Sequence, residues 1–447
     1  MKKFTFRGGI HPKDRKERSR GKPLTFQNPV TNSVTIPVTM GGAVNSVLVN
    51  PGDQVIKGQI IADSTAPLSC PVHASISGTV KKITSHSVAG MGEALCIVIE
   101  ENKDKPELKD QNAFMQPLDP FSCTREKAIE RIKMAGITGM GGASFPTYVK
   151  FNYPQTAEIE HLIINAAECE PYLTIDETLL HEKIDSILDG IKIVQHIVNA
   201  PATIALESNK KYLLEHIQNK INSISDSCEK PITVKILKTK YPQGAEKNLV
   251  TALTGREVPT GGLPYQAGCI ICNVGTVNAI SEAFRLGKPL IERPLTISGD
   301  ACRTPMNIVV PIGTLVGDLI PEIVQLEKGV CKILNGGPMM GTSMPSADFP
   351  VQKGTSGVLF LKKEETFVGK TMPCISCGRC IEVCPMQLEP ILMNRAISFD
   401  DLELAKKHGL LDCIECGSCS YNCPSDVPLV QMFKLGKKKL RDSVKRK

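Results

Sequence analysis

Eight of the chain's seventeen cysteines fall in two copies of one pattern near its C-terminal end. Cys374, Cys377, Cys380 and Cys384 with Pro385 form C-x2-C-x2-C-x3-C-P, and Cys413, Cys416, Cys419 and Cys423 with Pro424 repeat it. Two-residue steps let three thiolates from one tight loop face three corners of a cube, with backbone amides directed at its sulfides. The fourth cysteine, after a longer step and before a proline, leaves on a helix and reaches the other cluster. The pattern predicts two [4Fe–4S] clusters with crossed ligation, one on Cys374, Cys377, Cys380 and Cys423, the other on Cys413, Cys416, Cys419 and Cys384. Zinc wants paired C-x2-C ligands, four to an ion, and leaves the third cysteine, the proline and the duplication unexplained. Clusters held this close suit a relay of single electrons. The other nine cysteines are scattered and most read as core thiols.

A second chemistry is spread over four segments. Glycines cluster in GITGMGGASFPTYVK, 136–150, where Gly139, Gly141 and Gly142 leave no side chain to keep a planar ring or a phosphate from the backbone, and Lys150 offers a positive charge. NAAECEPYLTIDE, 165–177, sets Asn165, Glu168 and Glu170 just past an apolar run. In YPQGAEKNLVTALTGREVPTGGLP, 241–264, Gly244 and Glu246 open a helix whose free amides attract phosphate. CNVGT, 272–276, puts Asn273 and Thr276 after a further apolar run. Such loops, converging at the ends of strands, would form one crevice.

The elements that must position these loops are legible in outline. Residues 30–100 read as short strands between Gly and Pro turns. They fall into two similar halves, 41–63 and 73–100, like the flattened barrel of biotinyl and lipoyl carrier domains. The hairpin between the halves, STAPLSCPVH, has no lysine to carry such a cofactor, so the barrel reads as a docking module. From about 124 the pattern alternates: helix at TREKAIERIKMAGI, strand at HLIINAAE, long helix over 175–200, strand at PATIALES, helix near 209–222, strand at PITVKIL, helix near 244–254, strand at CIICNVGT. Strands separated by helical crossovers predict a mostly parallel sheet with ligands at its carboxyl edge. Residues 293–345 return to short strands with one helix, a β-grasp-like module, and 370–436 alternate short helices with Cys-rich loops.

Length and composition (447 residues, 41% apolar, 22% charged) fit a soluble protein of about three domains. No apolar run approaches the ~20 residues of a membrane span, and MKKFTFRGG has no apolar segment behind it to make a signal peptide, so the expected place is the cytoplasmic side. The net charge of +7 is uneven: residues 1–24 and 434–447 each carry +7, leaving −7 for the body. The basic ends read either as solvated tails or as attraction to acidic partners or an anionic membrane surface. Without interleaved aromatics, and with no Trp, they do not read as nucleic-acid binding.

The segments GxGGAxFPxxxK, NAxExEP and GxE…NVxT resemble the flavin-binding subunit of respiratory complex I. Nearly end to end, the order FRGGIHP (6–12), barrel, GGASFPTYVK, NGGPMMG (335–341) and doubled CxxCxxCxxxCP resembles the C-subunit family of Rnf electron-transport complexes. That resemblance implies FMN, held without a covalent bond at Gly139, Gly141, Gly142, Lys150, Asn165, Glu168, Gly244, Glu246, Asn273 and Thr276. It implies NAD(H) as substrate, facing Ala143, Phe145 and Glu170. Ala167, Ala245 and Met140 depart from the complex I pattern, which has acids at the first two and an arginine at the third.

The implied fold is multidomain α/β. It comprises a barrel-sandwich (lipoyl-like) domain over 1–110, a Rossmann-like FMN/NADH domain over 111–290, a β-grasp (SLBB-like) module over 291–360, an α-helical ferredoxin-like domain with two [4Fe–4S] clusters over 361–436, and a basic tail over 437–447. The implied function is that of a peripheral subunit of an ion-translocating ferredoxin:NAD+ oxidoreductase. Its partners would be integral membrane subunits and an iron–sulfur subunit, with ferredoxin served indirectly. The alternatives are a soluble corrinoid reductase of similar make-up, or an electron-relay docking subunit without its own flavin.

Overall fold

The computed structural model describes residues 4–28, 31–102, 111–224, 229–366 and 369–445. Cys228, the ends of both basic segments and most of the expected junction near residue 110 lie outside them. At the centre is a four-stranded, wholly parallel sheet in the order Ile232–Leu237, Ala202–Glu207, His161–Ala166, Cys269–Asn273. In chain order this is 3-2-1-4, so the connections reverse between the first and fourth strands, and ligands bind in α/β sheets at that point. The strands are near-continuous apolar runs because helices cover both faces. The register sets Asn165 beside Asn273 at the carboxyl edge.

The helices largely follow the expected pattern. Thr124 caps Arg125–Met134 by accepting from the Lys127 amide at 3.3 Å. The long helix expected over 175–200 is two, Ile175–Glu182 and Ile184–Val198, broken at Lys183. The helix Val274–Arg285 follows the last strand directly, capped by Asn273, whose side chain accepts from the Gly275 amide at 2.8 Å. Gly190 lets it lie against Ile184–Val198, since a Cβ there would sit 1.9 Å from the Val277 carbonyl oxygen.

The barrel expected over 30–100 is present. A four-stranded sheet (Ser33–Pro37, Gly92–Glu100, Gly78–Val88, Gln54–Val55) faces a three-stranded one (Ser46–Val47, Ile60–Asp63, Val72–His73) over Val34, Ile36, Ile61, Val80, Ile97 and Ile99. In its lysine-free hairpin Leu68 is exposed at the tip, while Cys70, Val72 and His73 are buried. A six-stranded sheet runs in the order Leu24–Phe26, Met306–Pro311, Glu292–Ser298, Gly357–Leu361, Lys332–Asn335, Thr342–Met344. Its outer strand comes from the N-terminal segment, a pairing that no local pattern marks, and the helix expected within 293–345 is a 3-10 turn, Val316–Leu319.

In the cysteine-rich segment, helices Pro390–Ser398 and Leu429–Lys445 pack through Met393, Ile397, Leu429, Phe433 and Leu440. The basic stretch expected as a separate tail from 437 continues this last helix through Lys445.

Candidate functional site

The expected loops meet at a cavity of about 800 Å³ at the carboxyl edge of the parallel sheet, a size suited to a cofactor and substrate together. Gly139, Gly141, Gly142, Ala143, Phe145, Lys150, Asn165, Glu168, Glu170, Gly244, Glu246 and Asn273 all line it. Thr276 does not. It is buried in the first turn of its helix, where its hydroxyl accepts from the Met140 amide at 3.0 Å and so shapes the glycine loop from behind. Three of the segments leave strands of the sheet. The glycine loop instead crosses above them after helix Arg125–Met134.

The wall suits a flat ring. A Cβ on Gly142 would meet nothing within 4 Å, and one on Gly141 would come no closer than 3.8 Å to Asn273, so side chains there would project into open cavity. Buried Asn335 Oδ1, on a residue lining the same space, has no hydrogen-bond partner in the protein, the condition of a polar group that awaits a ligand or water; Glu168 Oε2 has only the ammonium groups of Lys16 and Lys210, at 3.8 and 4.0 Å.

Several expected contacts are already engaged within the protein. Lys150 bonds Glu246 and donates to the Ile271 carbonyl at 3.0 Å. Burial opposes its charge, yet Glu246 holds its pKa above the ordinary value. Asn165 donates to the Gly244 carbonyl at 2.9 Å, tying two of the loops together. Glu170 accepts from the Met339 and Met340 amides at 3.0 and 2.9 Å, so its carboxylate anchors the NGGPMMG loop as well as lining the cavity. Burial raises the Glu170 carboxyl to about 7 and that of Glu168 to about 8, the latter against the pull of Lys16 and Lys210.

Residues not singled out in the sequence complete the floor. Asp176 accepts from Asn273 at 2.7 Å. Buried Arg293, from the six-stranded sheet, donates to the Met140 carbonyl at 2.8 Å and to that of Thr355, and burial lowers its pKa to about 10. Lys16 and Lys210 are buried beneath Glu168. Buried Lys353 donates to the carbonyls of Pro71 and Gly136, each at 2.7 Å, and so pins the barrel to the glycine loop. The barrel reaches the cavity too, through Gly41 and the hairpin tip Gly90–Met91. No periodicity or motif marks these residues, because their roles arise from contacts between distant segments.

The sulfurs divide by environment. Cys384, Cys413, Cys416 and Cys419 line one small cavity, and Ile414 lines both this cavity and the large one. The Tyr241 hydroxyl donates to the Cys416 carbonyl at 2.7 Å, while Tyr241 also lines the large cavity. Cys374 and Cys377 are exposed. The Met372 amide donates to the Ser425 carbonyl at 2.9 Å, bringing the first triplet's loop to the chain just past Cys423. Backbone amides point at sulfur in both motifs: Ser376 at Cys374 and Glu415 at Cys413, each at 3.4 Å, and Leu388 at Cys384 at 3.3 Å. Among the described residues no three Cys, His, Asp or Glu side chains gather as a site for one metal ion.

Three segments of the chain match known families. Residues 4–104 match the RnfC barrel sandwich hybrid domain, 132–282 the Nuo51 FMN-binding domain and 368–424 a 4Fe-4S dicluster domain. The chain is 40% identical over 415 residues to the C subunit of the proton-translocating ferredoxin:NAD(+) oxidoreductase complex of Clostridium ljungdahlii, spanning 91% of this chain and 88% of that one. It is 39% identical to the C subunit of the ion-translocating oxidoreductase complex of Rhodobacter capsulatus (100% and 85%). With the C subunit of the Na(+)-translocating ferredoxin:NAD(+) oxidoreductase complex of Acetobacterium woodii the identity is 38% (88% and 87%). The fold is similar to a chain in the crystal structure of the NAD+-reducing [NiFe]-hydrogenase in the air-oxidized state, with TM-score 0.53 and 19% identity over 70% of this chain and 63% of that one.

Proposed function

The chain belongs to the C-subunit family of ion-translocating ferredoxin:NAD(+) oxidoreductase complexes, and from that premise we propose that it is the subunit in which electrons pass between NAD(H), FMN and two [4Fe–4S] clusters. The observation that carries the proposal is the shared wall. Ile414 lines both a cavity large enough for flavin and nicotinamide and a smaller cavity lined in part by four cysteines. FMN, when bound, exchanges an electron pair as hydride with NAD(H) and single electrons with the clusters.

The chain's own residues bind and orient. Gly139, Gly141 and Gly142 keep one wall bare. Asn165, Glu168, Gly244, Glu246, Asn273 and Lys150 form the polar floor, and Thr276 supports the glycine loop. Ala143, Phe145 and Glu170 face the nicotinamide. The crossed ligation is supported by the four cysteines that line the small cavity: Cys384, Cys413, Cys416 and Cys419 would hold one cluster, and Cys374, Cys377, Cys380 and Cys423 the other. Electrons would then enter or leave at the first triplet, whose Cys374 and Cys377 are exposed, towards membrane-embedded or iron–sulfur subunits on the cytoplasmic face. No described helix is long and apolar enough to cross a membrane, and ion movement belongs to those other subunits. The test is anaerobic purification followed by heat or acid. FMN should appear in the supernatant, and NADH should bleach flavin and cluster absorbance in the intact protein. A chain with iron and sulfide but no affinity for FMN would refute the proposal.

A further inference from the structure

The N-terminal segment reads as a charged end, yet one of its lysines lies under the cavity. Lys16 is 1% exposed. Its ammonium donates to the carbonyls of Glu168 at 2.9 Å, Glu170 at 3.0 Å and Leu173. Three N–H donors meet three acceptors, so the group is fully used. All three acceptors belong to the turn after strand His161–Ala166, the turn that brings Glu168 and Glu170 into the cavity wall. The turn is strained: Glu168 (φ 46°) and Tyr172 (φ 68°) are left-handed, a state that persists in such residues only where the surroundings hold it. The segment is itself tied down on both sides of Lys16. The Tyr172 amide donates to the Asp14 carbonyl at 2.8 Å, and the Ser19 hydroxyl to the Tyr172 carbonyl at 3.2 Å.

We infer that Lys16 is a positioning residue of the flavin and nicotinamide site, supplied by the N-terminal segment, which holds the 168–173 turn in its strained shape. The inference rests on the cavity being the FMN and NAD(H) site. Full-length wild type and K16M, purified anaerobically, are compared in iron content, FMN affinity after deflavination, KM and kcat for NADH with a small artificial acceptor, and amide exchange of a peptide spanning 167–174. The expected result is unchanged iron, a rise of about tenfold or more in FMN Kd or NADH KM, as for loss of hydrogen bonds from a charged donor, and faster exchange in that peptide. Iron-replete K16M with wild-type affinity, KM and exchange overturns the inference. If K16M does not retain iron, K16R is read instead. Its planar fork cannot place three hydrogens on the same carbonyls, and wild-type values in iron-replete K16R overturn the inference equally. A wild-type chain that binds no FMN fails the underlying reading, and the exchange measurement still tests the turn.

Discussion

Replacing Cys384 and Cys423 separately by serine tests how the two cavities are wired. In sequence Cys384 belongs to the first cysteine motif, but it lines the small cavity with Cys413, Cys416 and Cys419 of the second. With four cysteines per cluster, a complete protein holds about eight iron and eight sulfide. Either variant should keep roughly half of each. The consequence for electron flow differs. C384S should lose the cluster proposed for the small cavity, which shares Ile414 with the large one, so NADH should reduce the flavin and stop there, while dithionite should still reduce the remaining cluster. C423S should lose the other cluster, so the one proposed for the small cavity should still be reduced by NADH. Electron paramagnetic resonance after NADH, then after dithionite, separates the two: no NADH-induced cluster signal in C384S, one cluster's signal in C423S. A NADH-reducible cluster in C384S at half iron content would refute the crossed ligation or the order of the relay.

Three further outcomes follow from the same geometry. G141V should lose FMN at unchanged iron, because its side chain would occupy the cavity, and a wild-type flavin-to-iron ratio would contradict the bare-wall role. K353M leaves the buried Pro71 and Gly136 carbonyls without their donor, which costs about 1–3 kcal/mol, so scanning calorimetry should show a lower thermal midpoint; an unchanged midpoint would mean that the pin contributes nothing net. Glu207, buried beside Lys210 and Lys16, has its carboxyl raised by burial to about 7. The folded form therefore binds that proton more tightly than an unfolded chain, whose carboxyl titrates near ~4.3. The stability it contributes is full below that value and lost as pH rises through about 7. Between pH ~5.5 and ~8 the thermal midpoint of E207Q should fall less than that of wild type, and parallel slopes would refute this.

What the sequence made legible was local. The cysteine motifs, the glycine loop and the acids after the first strand are short-range patterns, in which residue type and spacing within a few positions carry the chemistry. The strands of the parallel sheet are legible in the same way, as apolar runs separated by helical stretches. Their 3-2-1-4 order, which places Asn165 beside Asn273, is set by pairing between distant segments. The interlocking of segments was not legible either. Arg293 reaches Met140 across 153 positions and Lys353 reaches Pro71 across 282. A buried lysine held by carbonyls cannot be told from a surface lysine without the tertiary contacts that supply those acceptors.

The two basic ends show how much of a charged stretch's role lies in such contacts. Both read as solvated charge or as attraction to a partner, since +7 in so short a stretch has no other local meaning. In the first, Lys16 is buried, Arg20 bonds Glu177 at 3.0 and 3.2 Å, and Arg18 donates to the Cys302 carbonyl at 3.0 Å. In the second, Phe433 and Leu440 stand seven residues apart on one face of the helix and pack on its neighbour, with Gly436 against Ile397 and Leu410. Lys437 turns inward to the Cys413 carbonyl at 2.6 Å and to Glu415 at 2.8 Å. Cutting the chain at 434 would therefore open the core of the cysteine-rich segment and remove a donor from a cluster-binding loop, so a truncated protein would confound loss of docking with loss of iron. Only the outward charges, among them Lys434, Lys438 and Arg441, are free of that role. Attraction to an acidic partner or an anionic surface, screened over ~8–10 Å at physiological ionic strength, can act through those side chains while the same helix holds the cluster in place.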